Sequence, residues 1–132
     1  MASIDKLGWL RVENRRVLMV RSRGQQVYYI PGGKREAGET DQQALVREIG
    51  EELNVQLAPE NLEYLDTFEA QAHGKPEGTL VRIACYGGDY TGVLKPASEI
   101  DDMAWLGHAD RPRVGGAAVL IFDWLKQINR ID

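Results

Sequence analysis

The chain has 132 residues, of which 43% are hydrophobic and 27% charged, and its formal net charge is −4. This size predicts one domain, residues 1–132, with a single core, and the negative charge excludes a general attraction to nucleic acid or membranes. No apolar run approaches the roughly 20 residues that span a bilayer, the N-terminus lacks a signal-peptide pattern, and Cys85 is the one cysteine. A cytoplasmic protein is therefore expected.

The first predicted elements are two strands joined by a turn. Leu7–Val12 and Arg16–Ser22 have strand-like composition, and the polar Glu13–Arg15 between them suits a hairpin turn. The unbroken apolar run Val17–Val20 indicates a strand that is covered on both faces. Val27–Ile30 is a short β-prone run that ends at a proline and two glycines.

A helix is predicted from Thr40 to Leu53. Thr40 is a plausible N-cap, and Gln43 three residues later completes a capping box. Asp41 in the first turn suits the helix dipole. Asn54 follows the last apolar position and favours a left-handed helix end.

The second half of the chain predicts three more strands and a closing amphipathic helix. The strands are Glu63–Ala72, Thr79–Gly87 and Met103–Leu106, and the helix is Ala117–Ile128. A β-rich order with one central and one terminal helix fits an α/β (α+β) fold, in which a mixed sheet lies between helices.

The predicted helix holds its glutamates beside the buried face. At 100° per residue, Glu52 lies about 20° from Leu45, Glu48 about 60° and Glu51 about 120°. The predicted core stripe comprises Leu45, Val46, Ile49 and Leu53. The opposite, solvent side comprises Gln43, Arg47, Gly50 and Asn54.

Carboxylates at the border of a core are costly unless a positive group meets them. Arg47 can pair with Glu51 at the i,i+4 spacing, but nothing on the helix is expected to neutralise Glu48 and Glu52. A divalent cation such as Mg²⁺ could do so, and the backbone carbonyl of Gly33 could serve as a further ligand. The alternatives are a solvated charged face for the helix and a plain turn for the glycines.

With these spacings, residues 33–55 resemble the Nudix box, G-x5-E-x7-R-E-U-x-E-E-x-G-U, where U is a bulky aliphatic residue. The box begins at Gly33 and ends at Val55. Asn54 replaces the glycine of the motif, and asparagine tolerates the left-handed conformation that this position needs. The other defined positions are present: Gly33, Glu39, Arg47, Glu48, Ile49, Glu51, Glu52 and Val55.

The resemblance implies a Nudix hydrolase, which cleaves a nucleoside diphosphate linked to another moiety with Mg²⁺ or Mn²⁺. It implies an α/β/α sandwich around a mixed sheet. The implied metal ligands are Glu48, Glu51, Glu52 and the Gly33 carbonyl. The resemblance also implies that Arg47 orients the glutamates and that Glu39 supports the loop–helix junction. Glu51, Glu52 and Glu99 remain alternatives for the general base, and Glu99 is also a candidate metal ligand.

The substrate is expected to be a small nucleotide rather than nucleic acid. Predicted phosphate contacts are Lys34, Arg21, Arg23 and Arg82, and five aromatic residues could stack on a base: Tyr28, Tyr29, Phe68, Tyr86 and Trp105. His73 and His108 are expected to be solvent-exposed. A nucleoside triphosphate is the favoured substrate, with ADP-ribose, sugar nucleotides or dinucleotides as alternatives. A Nudix-fold binding module without catalysis and a generic acidic interaction domain are the other classes, and a homodimer is possible.

Overall fold

The computed structural model describes residues 3–132, so the first two residues of the predicted domain, Met1 and Ala2, lie outside the described residues. The strands are β1 (Ser3–Trp9), β2 (Val12–Glu13), β3 (Arg16–Ser22), β4 (Gly32–Gly33), β5 (Gln56–Leu57), β6 (Glu63–Gln71), β7 (Leu80–Gly87), β8 (Tyr90–Thr91) and β9 (Ile100–Leu106). The helices are α1 (Asp41–Leu53) and α2 (Ala118–Gln127), and 3₁₀ turns cover Pro59–Asn61 and His108–Arg113. No helix within residues 3–132 is long and apolar enough to cross a membrane.

The main sheet is mixed, as the sequence predicted. Its strand order is β4-β1-β7-β6, with β1 parallel to β7 and the other neighbours antiparallel. A second, antiparallel sheet has the order β2-β3-β9, and β5 pairs with β8. The predicted α/β fold with a mixed sheet is therefore confirmed.

The strand β3 contributes to two hydrophobic cores. Leu18 and Val20 pack in the core that contains the apolar face of α1, whereas Val17 and Met19 pack in the core that contains α2. All four side chains are at most 4% exposed. The prediction that this run is covered on both faces is confirmed, and the sheets therefore lie between the two helices.

The hairpin between β2 and β3 turns at two residues with positive φ. Asn14 and Arg15 have φ of 51° and 63°, the pair of values that a type I′ turn requires. The turn prediction is confirmed, but the prediction of one strand over Leu7–Val12 is wrong. Pairing of β1 ends at Trp9, and a separate two-residue strand begins at Val12.

The prediction of a strand over Val27–Ile30 is also wrong, because successive residues of this segment form hydrogen bonds with different neighbours. Tyr29 forms an isolated antiparallel bridge with Val20, and Tyr28 forms a parallel bridge with Val114. Successive residues that pair with different partners cannot extend one ladder. The segment instead crosses from β3 to the turn before α2.

Candidate active site

Local side-chain chemistry fixes both ends of α1. The Thr40 hydroxyl accepts a hydrogen bond from the Gln43 N–H at 3.1 Å, and the Gln43 side chain accepts one from the Thr40 N–H at 3.0 Å. Asn54 ends the helix with φ 60° and ψ 30°. The predicted capping box and left-handed end are confirmed. They set the helical register and, with it, the direction of each glutamate.

Glu52 is the one buried charged side chain among residues 3–132, with 5% of its surface exposed. Its carboxylate accepts a hydrogen bond from the Gly32 N–H at 3.2 Å. Burial, together with the charges of Glu48 and Glu99, raises the pKa of Glu52 to about 8, against the lowering effect of the Gly32 hydrogen bond. The predicted position beside the core stripe is confirmed.

The glycine pair of β4 permits two close approaches. A Cβ on Gly32, whose φ is 146°, would lie 1.9 Å from the Leu7 carbonyl oxygen. A Cβ on Gly33 would lie 2.5 Å from the Glu48 carboxylate. Glycine at Gly33 therefore lets the Glu48 carboxylate rest directly against the backbone.

Arg47 joins the loop before α1 to the glutamates. It donates two hydrogen bonds to Glu39, at 2.8 and 2.9 Å, one to Glu48 at 2.8 Å and one to the Lys34 carbonyl at 3.1 Å. The Arg47 hydrogen bonds to Glu39, together with one from the Glu36 N–H, lower the pKa of Glu39 to about 2. The expectation that nothing on the helix neutralises Glu48 is wrong, because the guanidinium reaches its neighbour along the helix.

Glu51 stands apart from this network. Its side chain is 56% exposed, and its closest charged contact is Arg47 at 3.7 Å. It does not line the cavity that residues 3–132 form beside Glu52. The structure therefore brings Glu48, Glu52 and Gly33 together and leaves Glu51 facing solvent at their edge.

A cavity of about 440 Å³, here called the main cavity, opens beside Glu52. One part of its wall is charged and polar and comprises Gly33, Lys34, Glu48, Glu52 and Glu99. Another part is mostly apolar and comprises Tyr29, His73, Val81, Ile83 and Ala117. The volume suits a small organic ligand.

Lys6 on β1 also lines the main cavity, although it is not among the predicted site residues. Lys6 is exposed to solvent. Burial lowers the pKa of the Lys6 ammonium, and the nearby Lys34 charge lowers it further, against the opposing effect of Glu52. Lys6 and Lys34 thus lie near each other in the main cavity, which Glu48 and Glu52 also line.

Three of the four predicted phosphate contacts lie elsewhere. Arg21 donates to Asp101 at 3.3 Å, and Arg23 donates to the Ser98 carbonyl at 3.2 Å. Arg82 lines a separate recess on the other face of β1. Lys34 is the predicted contact that lines the main cavity.

Likewise, some of the aromatic and histidine candidates line the main cavity and the others lie elsewhere. Tyr28 and Tyr86 are 5% and 7% exposed and belong to the cores. Tyr29 instead lines the main cavity, where its ring makes a T-shaped contact with His73 at a centroid distance of 6.2 Å. The expectation of a solvent-exposed His108 is wrong, because its side chain is half-buried and its Nε2 lies 2.9 Å from the Asp123 carboxylate.

Phe68 and Trp105, the other two candidates for stacking on a base, also pack against the cores. Phe68 packs against the core that contains α2, and Trp105 against the core that contains α1. Tyr29 is therefore the predicted aromatic residue that the structure places in the main cavity.

The family model of the NUDIX domain matches residues 7–121 of this chain. The chain belongs to the Nudix family. The match extends over most of the chain and includes the loop, α1 and both sheets. This Nudix protein is therefore a hydrolase, and the use of a divalent metal ion is general in its family. A comparison with curated proteins gives no match.

Solved structures of MutT and Nudix proteins share the fold. A putative nudix hydrolase family member from Chromobacterium violaceum is 25% identical, with a TM-score of 0.71 over 94% of this chain and 77% of that chain. The MutT NUDIX hydrolase from Burkholderia pseudomallei is 21% identical, with a TM-score of 0.71 over 92% and 95%. A bifunctional NMN adenylyltransferase/ADP ribose pyrophosphatase from Francisella tularensis, complexed with AMP and a Mn ion, is 23% identical, with a TM-score of 0.67 over 95% and 42%.

The donor set of the Nudix site fits a hard divalent cation. Glu48, Glu52 and the Gly33 backbone supply oxygen atoms, which Mg²⁺ and Mn²⁺ prefer. Within residues 3–132, the buried Glu52 forms no ion pair with a cationic side chain. Within residues 3–132, however, no three His, Cys, Asp or Glu side chains already stand together as a metal-binding group. Arg47 holds Glu48 in the arrangement observed.

Proposed function

We propose that this Nudix hydrolase cleaves the diphosphate linkage of a nucleoside diphosphate derivative with Mg²⁺ or Mn²⁺. The observation that carries this proposal is the main cavity, in which buried and half-buried carboxylates meet two lysines beside an apolar wall. Carboxylates suit a cation, lysines suit phosphate oxygens, and an apolar wall with an aromatic ring suits a nucleobase. Such a combination favours a nucleotide substrate over a binding partner of another class.

Different residues would perform the separate parts of the hydrolysis. Glu48, Glu52 and the Gly33 carbonyl would hold the cation, with Glu51 as a further ligand at their edge. When bound, a divalent cation screens the phosphate charge, acidifies the attacking water and stabilises the leaving phosphate. Lys34 binds phosphate oxygens, and Arg47, held by Glu39, positions Glu48. Glu52 or Glu99, which both line the main cavity, accepts the proton of the attacking water.

A nucleoside triphosphate is the simplest substrate that the main cavity admits. Its base would lie against Tyr29 and His73, and its phosphates would pass Lys34 towards the carboxylates. The products would be the nucleoside monophosphate and pyrophosphate. This substrate is the one that the sequence favoured, and residues 1–132 would then act as one catalytic domain.

A substrate panel tests the function. The purified protein is incubated with Mg²⁺ and nucleoside triphosphates, dinucleotides, ADP-ribose and sugar nucleotides, and the products are separated by chromatography. We expect release of a nucleoside monophosphate from at least one compound and loss of that activity in EDTA. Binding of nucleotides without any cleavage would contradict the enzyme assignment and favour the binding module.

A further inference from the structure

A second recess, of about 540 Å³, lies on the opposite face of β1 from the main cavity, and we call it the β1 recess. The two faces follow from strand alternation. Lys6 pairs in register with Ile83 of the main cavity, whereas Asp5 pairs with Arg82 and Leu7 with Ala84. The β1 recess is lined by Asp5, Lys6, Leu7, Lys34, Arg35, Asp41, Tyr64, Thr67, Arg82 and Ala84.

The two cavities meet around the edge of β1. Lys6, Leu7 and Lys34 line both of them. The pairing of β4 with β1 covers Leu7 and Gly8, and in the described residues it stops there. The edge of β1 before Leu7 is therefore open on that side, and a chain of phosphates can pass from one face to the other beside the two lysines.

The β1 recess has more cationic than anionic side chains. Lys6, Lys34 and Arg82 form no ion pair with a carboxylate among residues 3–132, whereas Arg35 pairs with Asp41 at 2.6 Å. Asp41 also accepts a hydrogen bond from the Tyr86 hydroxyl at 2.7 Å. Asp5 is the other carboxylate of the lining. Three cations are thus left for an anionic ligand, and their position continues the phosphate path from the main cavity.

An exposed aromatic ring completes the recess. Tyr64 is 54% exposed, although its ring packs edge-on against Tyr86 at a centroid distance of 5.6 Å. Its hydroxyl shares a hydrogen bond with Thr67 at 2.6 Å. A ring that is held in place and open to solvent offers a stacking surface for a second base.

We propose that the β1 recess binds the second, phosphate-bearing nucleoside of an extended substrate, so that the enzyme prefers dinucleoside polyphosphates to nucleoside triphosphates. The proposal rests on the proposed function, because it places the first nucleoside in the main cavity. Lys34 and Lys6 contact the polyphosphate, Arg82 contacts the phosphate nearest the second nucleoside, and Tyr64 stacks on its base.

The test compares Arg82→Gln with wild type on two substrates, diadenosine tetraphosphate and ATP. We expect KM for diadenosine tetraphosphate to rise about tenfold, the loss of one charge-assisted contact, while kcat and the ATP parameters stay within about twofold. Arg82→Lys should restore most of the affinity. Lys126→Gln, which removes a charge on α2 outside both cavities, is the control. Equal changes for both substrates, or none, would overturn the proposal.

Calorimetric titration distinguishes a failure of the β1 recess proposal from a failure of the proposed function. If wild type cleaves neither substrate, the enzyme assignment fails, and the recess is then judged by binding alone. Wild type with Mg²⁺ should bind diadenosine tetraphosphate more tightly than ATP, and Arg82→Gln should remove that difference. Equal affinity of wild type for the two compounds would contradict the recess, whatever the activity. Unchanged melting temperatures of the variants establish that they are folded.

Discussion

Glu52 illustrates how one residue can oppose stability and serve function. Its carboxylate lies almost wholly inside the protein, and among residues 3–132 its one hydrogen-bond donor is the Gly32 backbone N–H. A lone buried charge lowers the stability of a fold unless it is neutralised. In the absence of metal, a pKa raised to about 8 means that the neutral carboxyl is favoured below that pH. A bound cation would reverse that preference.

Replacement of Glu52 by glutamine separates the two effects. Without metal at pH 8, Glu52→Gln should melt at the same temperature as wild type or higher, because a neutral amide keeps the acceptor for the Gly32 N–H and removes a buried charge. With Mg²⁺, its turnover should fall by about 100-fold or more. Calorimetry in EDTA measures the melting temperature, and a product assay with Mg²⁺ measures the turnover. Glu51→Gln, at an exposed position, is the stability control, and a marked loss of stability confined to Glu52→Gln would contradict this account.

A single contact with Glu48 explains why Gly33 has no side chain. In Gly33→Ala, the new Cβ would collide with the Glu48 carboxylate, which sits at the end of a flexible side chain. The side chain can move, so we expect little change in the free energy of unfolding but a fall in kcat of about tenfold or more, since a displaced catalytic group is costly. Gly50→Ala, whose Cβ would meet only the Val55 carbonyl oxygen at 3.7 Å, should stabilise α1 and keep its activity. Equal kcat in both variants would contradict the contact.

At the scale of elements, α1 and the loop before it are held together by the Glu39–Arg47 pair. The Arg47 hydrogen bonds keep the pKa of Glu39 near 2, below its ordinary value of 4.5. A folded-state pKa below the unfolded one adds stability that is present above about pH 4.5 and is lost as the pH falls towards 2. The junction between loop and helix should therefore weaken in acid.

The comparison of wild type with Glu39→Gln tests this pH dependence. At pH 7 the variant should have the lower free energy of unfolding. The difference in free energy between the two proteins should narrow as the pH falls from 4.5 to 2.5, and urea denaturation at a series of pH values measures that difference. Glu36→Gln is the matched control, because its carboxylate lies 3.5 Å from Arg47 and is 70% exposed. A gap that stays constant with pH would contradict the role of the Glu39 charge.

Elements that depend on local interactions could be predicted from the sequence. The capping box of α1 joins Thr40 to Gln43, three residues away, and Asn54 directly follows the last apolar position of the helix. The apolar spacing sets which face is buried, so both helix ends and the burial of Glu52 could be predicted. Val27–Ile30 has strand-like composition, but its pairing depends on Val20 and Val114, which local pattern does not reveal. Lys6 was missed for the same reason, because its approach to Lys34 depends on the pairing of β1 with β4.

At the scale of the whole molecule, the main cavity draws on distant parts of the chain. Glu48 and Glu52 come from α1, Lys6 from β1, Glu99 from the segment before β9 and Ala117 from the turn before α2. A ligand held by several elements at once resists their separation on unfolding. Binding at this site should therefore stabilise the fold as a whole.

Mg²⁺ should raise the melting temperature of the wild-type protein. A ligand that binds only the folded state adds about 2.7 kcal/mol at a concentration 100 times its Kd, and the cation would also relieve the repulsion between Glu48 and Glu52. Differential scanning calorimetry in EDTA and in millimolar Mg²⁺, at constant ionic strength set with KCl, gives the shift. Glu52→Gln should show little of it, whereas Lys126→Gln should show it in full. A wild-type melting temperature that Mg²⁺ leaves unchanged would contradict a metal site at these glutamates, because a cation that binds the folded protein must stabilise it.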